Sequence, residues 1–324
     1  MTIYEIAAEA GVAISTVSRV LNGGKCSAET KEKVEAVMKR QGYVPNAIAR
    51  GLAVSSMKTV AIVMVDIRVG HYAHTSYVLE QEFRAKGYDV LLCNTGSSIQ
   101  SIRSYLHSIA ARSIDGIVLV GSVFDCIETE KDLVDILTST PTVLANGKMK
   151  LDGVVSISVD DFHGIGLAVE HLVNKGRKHI LYAQDLFTSS AEEKREGYLC
   201  AMAQAGLNPN VQTCEYGLDG GAELIERLIS NGTKFDAIVF GEDMTAAGAL
   251  KALKRNGISV PSSVSITGYN NLEFATAMET ELTSVDNKCY QLAELCADRL
   301  LKMMMRQETS SFTIQPELVQ RMSS

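Results

Sequence analysis

The sequence predicts a two-part fold: an N-terminal all-α helix-turn-helix head, then an α/β body of two doubly wound parallel-sheet lobes. Three observations carry this. Short amphipathic segments separated by glycine turns fill the start of the chain. Apolar, β-rich runs then alternate with helical patterns from residue 59 onward. That alternation restarts near residue 178, giving two similar series. A chain of 324 residues has room for two or three domains, and 46% hydrophobic against 21% charged is a globular balance.

In the head, Thr2-Ile3-Tyr4-Glu5 has the form of a capping box, in which the threonine hydroxyl and the glutamate carboxylate each take one orphan amide. The helix that follows puts Ile3, Ile6, Ala7 and Ala10 on one face, and Gly11 ends it at a turn that Val12 plugs. A second helix spans about 14–21 with Val17, Val20 and Leu21 inward, and Asn22-Gly23-Gly24 stops it. Ser27 caps a third, whose Val34, Val37 and Met38 complete a small core before Gly42. Two helices joined by about three residues around a glycine make a helix-turn-helix.

The outward positions of the second helix are Ile14, Ser15, Ser18 and Arg19. They suit a recognition helix in a major groove: arginine can bond guanine or phosphate, isoleucine can meet a thymine methyl, and serine can bond several base edges. A three-helix bundle with a solvated polar face is the alternative. Residues 1–57 hold seven lysines and arginines against five glutamates, a net +2, which leaves −9 of the total −7 on the remainder. A mildly basic head on an acidic body fits DNA binding confined to one end. Beyond it, Tyr43-Val44-Pro45-Asn46 breaks the chain, and 47–53 has the makings of a brief helix too short to be stable alone, with Leu52 exposed on it.

These residues carry a resemblance. Ile3-Tyr4-Glu5-Ile6-Ala7, Ala10-Gly11-Val12, Thr16-Val17-Ser18-Arg19-Val20-Leu21-Asn22, Gly42-Tyr43-Val44-Pro45-Asn46 and Ala49-Arg50-Gly51-Leu52 resemble the lactose-repressor (LacI) family over nearly the whole head. The resemblance implies a DNA-binding set of Thr2, Ile14, Ser15, Thr16, Ser18, Arg19, Asn22, Asn46, Ala49 and Leu52. It also makes about 46–53 a hinge helix, ordered against its twin in the minor groove, where Leu52 wedges a base step. Ala13 departs from the family, which usually has serine there.

In the body, strand-like runs at 59–65, 89–93, 116–120 and 142–145 alternate with helical patterns at 78–86 and 101–112. The second series has runs at 178–183, 211–215, 236–240 and 264–267, with helices at 194–205, 222–229 and 245–256. Ligands of such sheets sit beyond the carboxyl ends of the strands, so two facing lobes place a ligand between them. Strand ends offer Asp66, His71, Tyr72, Asn94, Ser122 and Asn146 in the first lobe. In the second they offer Gln184, Asp185, Glu242, Asp243, Tyr269 and Asn270.

Gly87-Tyr88-Asp89-Val90, Gly176-Arg177-Lys178-His179-Ile180, Lys194-Arg195-Glu196-Gly197-Tyr198 and Val264-Ser265-Ile266-Thr267-Gly268-Tyr269-Asn270-Asn271 resemble the same family's effector domain, itself similar to periplasmic sugar-binding proteins. That resemblance implies an effector set of His71, Tyr72, Asn146, Asp160, Ser190, Lys194, Glu242 and Asn270. Its domain division is 1–57 for the head and 58–324 for the effector-binding and dimerisation part. Within that part, lobe 1 takes about 58–158 and 286–308, and lobe 2 about 159–283 and 311–324. Several pocket positions depart from the family pattern. Lys194 stands where an arginine is frequent, Asn270 and Asn146 replace aspartates, and Glu242 takes the place of a common asparagine. A planar fork gives way to a point charge, and two carboxylates are exchanged for one.

No P-loop, strand-bound G-x-G-x-x-G, H-E-x-x-H or G-x-S-x-G occurs, so an enzyme is not expected. The adjacent acids Asp160-Asp161 and Glu192-Glu193 read as solvated faces. Seven scattered cysteines without C-x-x-C spacing read as reduced cytosolic thiols rather than metal ligands; no cofactor or metal is expected. No export signal or membrane-length apolar run is visible, which points to the cytoplasm. The expectation is therefore a cytoplasmic repressor, a homodimer on operator DNA, controlled by a small-molecule effector such as a sugar. The alternative is a catabolite-control-type regulator that answers chiefly to a phosphorylated carrier protein.

Overall fold

A computed structural model describes residues 2–21, 24–43 and 56–324, which divide into two compact units, Met1–Lys58 and Thr59–Ser324.

The head unit contains α1 (Ile3–Ala10), α2 (Ile14–Leu21) and α3 (Ala28–Arg40). The capping box forms: the Glu5 amide donates to Thr2 Oγ1 at 3.4 Å, and the Thr2 amide donates to Glu5 Oε2 at 2.7 Å. Gly11 ends α1 in the left-handed region at φ +65°, which lets the Val12 amide reach back to Ala7 O at 3.0 Å. Ile6, Ala7, Val17, Val34 and Val37 are buried together, with Val12, Val20, Leu21 and Met38 packed on their rim. Arg40 and Gln41 at the end of α3 both bond Glu9 of α1, which fixes the third helix across the first.

The body runs β1 (Thr59–Met64), α4 (Gly70–Ala85), β2 (Asp89–Asn94), α5 (Ile99–Ala110), β3 (Gly116–Val120), a 3₁₀ segment (Ser122–Thr129), α6 (Lys131–Ser139), β4 (Thr142–Ala145) and β5 (Val154–Val159). It continues α7 (Asp161–Asn174), β6 (Ile180–Gln184), α8 (Ser189–Gln204), β7 (Val211–Thr213), α9 (Leu218–Ser230), β8 (Ala237–Phe240), α10 (Asp243–Arg255) and β9 (Ser265–Tyr269). The last elements are α11 (Glu273–Thr276), β10 (Thr283–Asp286), α12 (Cys289–Met304), β11 (Phe312–Ile314) and β12 (Glu317–Val319).

Two six-stranded sheets result, ordered β11-β5-β4-β3-β1-β2 and β12-β10-β9-β8-β6-β7; every pairing is parallel except β10 with β12. Each sheet is covered on both faces, as a parallel sheet must be. In the first, Leu79, Phe83, Leu292 and Leu300 pack on one face and Ile102, Leu106, Phe124 and Leu133 on the other. In the second, Ile165, Leu172 and Tyr198 face Leu224, Leu250 and Leu253 across the strands.

The chain passes between lobes three times: at Asp160, at Asn287–Lys288 and at Gln315–Pro316. The first and third passages are bonded together, the Asp160 amide donating to Ile314 O at 3.0 Å. Two expectations need correction. Phe312–Ile314 pairs with β5, so the stretch assigned to lobe 2 from 311 begins instead with a strand of the first sheet. Three-residue strands carry too little pattern to reveal which sheet they join. The first body helix begins at Gly70 rather than near 78, so His71 and Tyr72 lie on a helix and not in a loop.

Candidate functional site

In the head, α2 presents Ile14, Ser15 and Arg19 to solvent, while Thr16 and Ser18 are half-buried beside them and Val17 is buried beneath. An eight-residue helix with one apolar stripe and an outward side-chain row is what groove recognition requires. Thr2 spends its hydroxyl on the α1 cap. At the start of α2, Ala13 offers only its carbonyl, which accepts from Val17 N at 3.2 Å. Asn22, Asn46, Ala49 and Leu52 lie outside the described residues, as does the expected hinge helix.

In the body, strand order decides where a ligand fits. In each sheet the order reverses beside the first strand: between β1 and β3 in one lobe, and between β6 and β8 in the other. A crevice opens at the carboxyl ends of the strands flanking such a reversal. The two crevices meet in one cavity of about 300 Å³. Asp66, His71, Tyr72, Gly121 and Ser122 line it from the first lobe, and Asp185, Tyr216, Glu242 and Asn270 from the second. Lys194 and Ser190 enter from α8. Polar contacts join the lobes around the cavity: Asp125 with Ser189, Lys148 with Glu193, and His74 with Glu273 at 2.7 Å.

Backbone geometry aims several of these groups. Asn146 after β4 and Asn270 after β9 take φ of +55° and +94°, which turns the chain sharply at both strand ends; asparagine tolerates this better than most residues. Gly121 has φ +115°, and a Cβ there would stand 2.7 Å from the Tyr72 ring, so glycine is what lets the ring pack as a wall of the cavity.

The cavity floor is a buried polar network. Glu242 accepts from Asn270 Nδ2 at 2.6 Å, and Asn270 Oδ1 accepts from Asn287 Nδ2 at 2.6 Å. The Lys194 ammonium donates to Gly241 O at 3.0 Å, lies 3.9 Å from the Tyr269 ring centroid, and stays 3.8 Å from Glu242 Oε1. Asp161 accepts from Tyr269 and Ser190, both at 2.5 Å. Burial pushes the Glu242 carboxyl up to about 8 against the opposing pull of Lys194, with Asp185, Asp243 and Asp161 adding to the rise. Burial also raises Asp185, and with Lys194 lowers His71 to about 3. Burial thus favours a neutral imidazole at His71 and the protonated form of Glu242.

Of the eight residues expected at an effector site, seven line this cavity. Asp160 does not: it caps α7 through the His163 amide at 3.0 Å and lies at the first inter-lobe passage. The residue that turns inward is its neighbour Asp161, 3% exposed, so the adjacent acids are not both a solvated face. At a helix start, sequence alone does not say which of two consecutive acids is the cap. Tyr216, Thr188 and Ser97 also line the cavity and were not expected; they sit on loops without periodic signal. Asp185 and Ser122 were within reach of the strand-end rule. Asp243, named by the same rule, is instead structural, accepting from Ser284 Oγ at 2.6 Å and the Leu272 amide at 3.0 Å.

Residues 2–46 match the family described as bacterial regulatory proteins, lacI family, and residues 57–322 match periplasmic binding proteins and sugar binding domain of LacI family. The chain belongs to the LacI family. It is a DNA-binding transcriptional regulator whose body has the sugar-binding architecture of that family. Among curated relatives, an HTH-type transcriptional regulator of Lachnoclostridium phytofermentans is 37% identical, covering 94% of this chain and 92% of its own. Catabolite control protein A of Priestia megaterium is 30% identical over 97% and 95%. The fold matches the Lac repressor bound to ONPG at TM-score 0.90, with 22% identity over 100% of this chain and 99% of that one. It also matches a CelR–cellobiose complex at TM-score 0.73, with 24% identity over the full length of both.

Proposed function

We propose that this LacI-family regulator is a cytoplasmic repressor that binds a roughly palindromic operator as a homodimer and releases or grips it in response to an uncharged sugar in the inter-lobe cavity. The cavity itself carries the reading: a donor- and acceptor-rich space of about 300 Å³ between two switch-point crevices, within the usual range for small-molecule sites. Its one buried ammonium already donates to Gly241 O and lies against the Tyr269 ring, and no arginine is among the described residues of the lining, so an anionic ligand finds no free cationic partner.

On the DNA side, Ile14, Ser15 and Arg19 read bases from α2. By family resemblance, Asn46, Ala49 and Leu52 serve a hinge that orders on the operator and bends it. Two-fold symmetry of the protein calls for two half-sites. No catalytic role is proposed for the body.

The test has two arms on the full-length protein. Selection from randomised duplexes should yield a two-fold symmetric site; failure to enrich any sequence sinks the reading. A thermal-shift panel of glucose, cellobiose, glucosamine and glucose 6-phosphate should show stabilisation by a neutral sugar. Similarity to catabolite control protein A makes a phosphorylated carrier protein the second reading. Stabilisation by that carrier and by no sugar would put it first.

A further inference from the structure

The His71 imidazole is 8% exposed, lines the cavity, and has no hydrogen-bond partner for Nδ1 among the described residues. Glu242 Oε2 lies 3.9 Å from that nitrogen. The separation is too long for a direct hydrogen bond, yet one oxygen about 2.8 Å from each atom spans it. Among the described residues Glu242 meanwhile has a single side-chain donor within bonding distance, the Asn270 amide, because Lys194 stands off at 3.8 Å. A buried carboxylate with one donor is poorly compensated, and a second donor changes the balance.

We propose that His71 and Glu242 together seat one hydroxyl group of the effector, and that Glu242 gives up a proton as that hydroxyl arrives. The subsite rests on the inter-lobe effector reading above and names how the ligand is held. The hydroxyl accepts from the Nδ1–H tautomer of the neutral imidazole and donates its own hydrogen to Glu242. The Glu242 O–H bond breaks, its proton leaves to solvent, and the carboxylate remains beside the Lys194 ammonium. No bond of the ligand breaks, and the site's charge falls by one.

The groups facing Glu242 support this sign. Lys194 from α8 favours the carboxylate, while Asp185 at the end of β6, Asp243 on α10 and Asp161 on α7 disfavour it. Tyr72 on α4, Tyr216 before α9 and Tyr182 on β6 are held neutral by burial, and His71 is neutral as well. Until a ligand supplies a further donor, burial favours the proton on Glu242. The seated hydroxyl adds the donor that ionisation needs. Affinity then tightens as pH rises toward about 8 and levels off above it. An asparagine, common at this position in the family, has no proton to release.

Infrared spectra of the full-length protein at pH 6.5 should show a protonated-carboxyl band that Glu242→Gln diminishes, the remainder coming from Asp243 and Asp125. Calorimetry with glucose and cellobiose at that pH should give heats that differ between phosphate and imidazole buffers, matching release of one proton. The dissociation constant should fall up to about tenfold per pH unit below the plateau. Glu242→Gln should abolish both the buffer difference and the pH slope, and His71→Ala should weaken binding about tenfold or more. A band that Glu242→Gln leaves unchanged, or a bound sugar with equal heats in both buffers, overturns the proton step. If a sugar binds His71→Ala as tightly as the wild type, the seat is overturned. If neither sugar binds, the sugar reading itself fails and the hydroxyl seat goes with it.

Discussion

Asn287 donates to Asn270 across 2.6 Å, so a residue in the second inter-lobe passage is bonded to one that lines the ligand cavity. Both are almost wholly buried, and Asn270 in turn bonds Glu242. A short side-chain chain thus joins the cavity floor to a segment that must bend when the lobes move.

That link predicts a separation of binding from response. Asn287→Ala leaves the cavity wall in place but removes the connection, costing about 1–3 kcal/mol of stability through the stranded Asn270 oxygen. Effector affinity should change little, while the effector's influence on operator affinity should shrink toward nothing. Operator titrations with and without saturating effector measure this, and an unchanged ratio of affinities would refute it.

Replacing Gly121 with alanine should close the cavity from the Tyr72 side. The new methyl meets the ring at 2.7 Å in a backbone conformation that alanine resists. Strain and overpacking should cost about 1–3 kcal/mol in unfolding experiments, and sugar affinity should drop at least about tenfold. Wild-type affinity in a folded Gly121→Ala protein would remove Tyr72 from the ligand wall.

Stability of the unliganded protein should fall as pH rises from 6.5 to 8. The Glu242 carboxyl is raised in the folded state to about 8 from 4.5, so over this range the native state holds a proton that the unfolded chain has lost. More protons on the native side means a negative slope of unfolding free energy with pH. His71, lowered by burial from 6.5 to about 3, adds its own penalty only toward acid pH, outside most of that window. Glu242→Gln should flatten the decline. Some slope from Asp243, raised to about 7, should persist. Denaturant titrations at several pH values decide it: a steepness equal to wild type would show that Glu242 is ionised throughout.

Arg19→Ala should weaken operator binding by about 1–3 kcal/mol and relax preference at one base pair if the contact is to guanine. Competition assays with single-substituted operators would show it, and equal losses on every sequence would mark a phosphate contact instead.

Ala13→Ser should give α2 the side-chain cap it lacks, adding about 0.5–2 kcal/mol of helix stability. Slower hydrogen exchange at the first α2 amides is the readout. Unaltered exchange would show that the Ala13 carbonyl already suffices.

Much of this architecture is legible in the residue pattern, because its elements are long or sharply punctuated. The α1 capping box, the Gly11 turn and the apolar runs of β3 and β4 could be read directly. The strand-end rule named Glu242, Asn270, Asn146 and Asp185, which line the inter-lobe cavity, since polarity after an apolar strand marks a crevice wherever the strand order reverses. Legibility failed where pattern is short or shared. β11 has three residues, two of them exposed, and nothing in them names a sheet. The first two turns of α4 mix His71, Tyr72 and His74 with small residues, so their helical period is hidden. Asp160 and Asp161 differ only in which one the cap claims.

The three passages between lobes have a genetic consequence. Neither lobe is a continuous stretch of coding sequence: the first needs α12 and β11 from near the end of the chain, and the second needs β12 from beyond them. A recombination event that imports half of the body would deliver a sheet without its outer strand. The head, by contrast, is one uninterrupted segment ending at Lys58. A single crossover there can hand the protein a new set of target genes, whereas a new inducing metabolite has to be acquired by point mutation around the cavity or by exchange of the body entire.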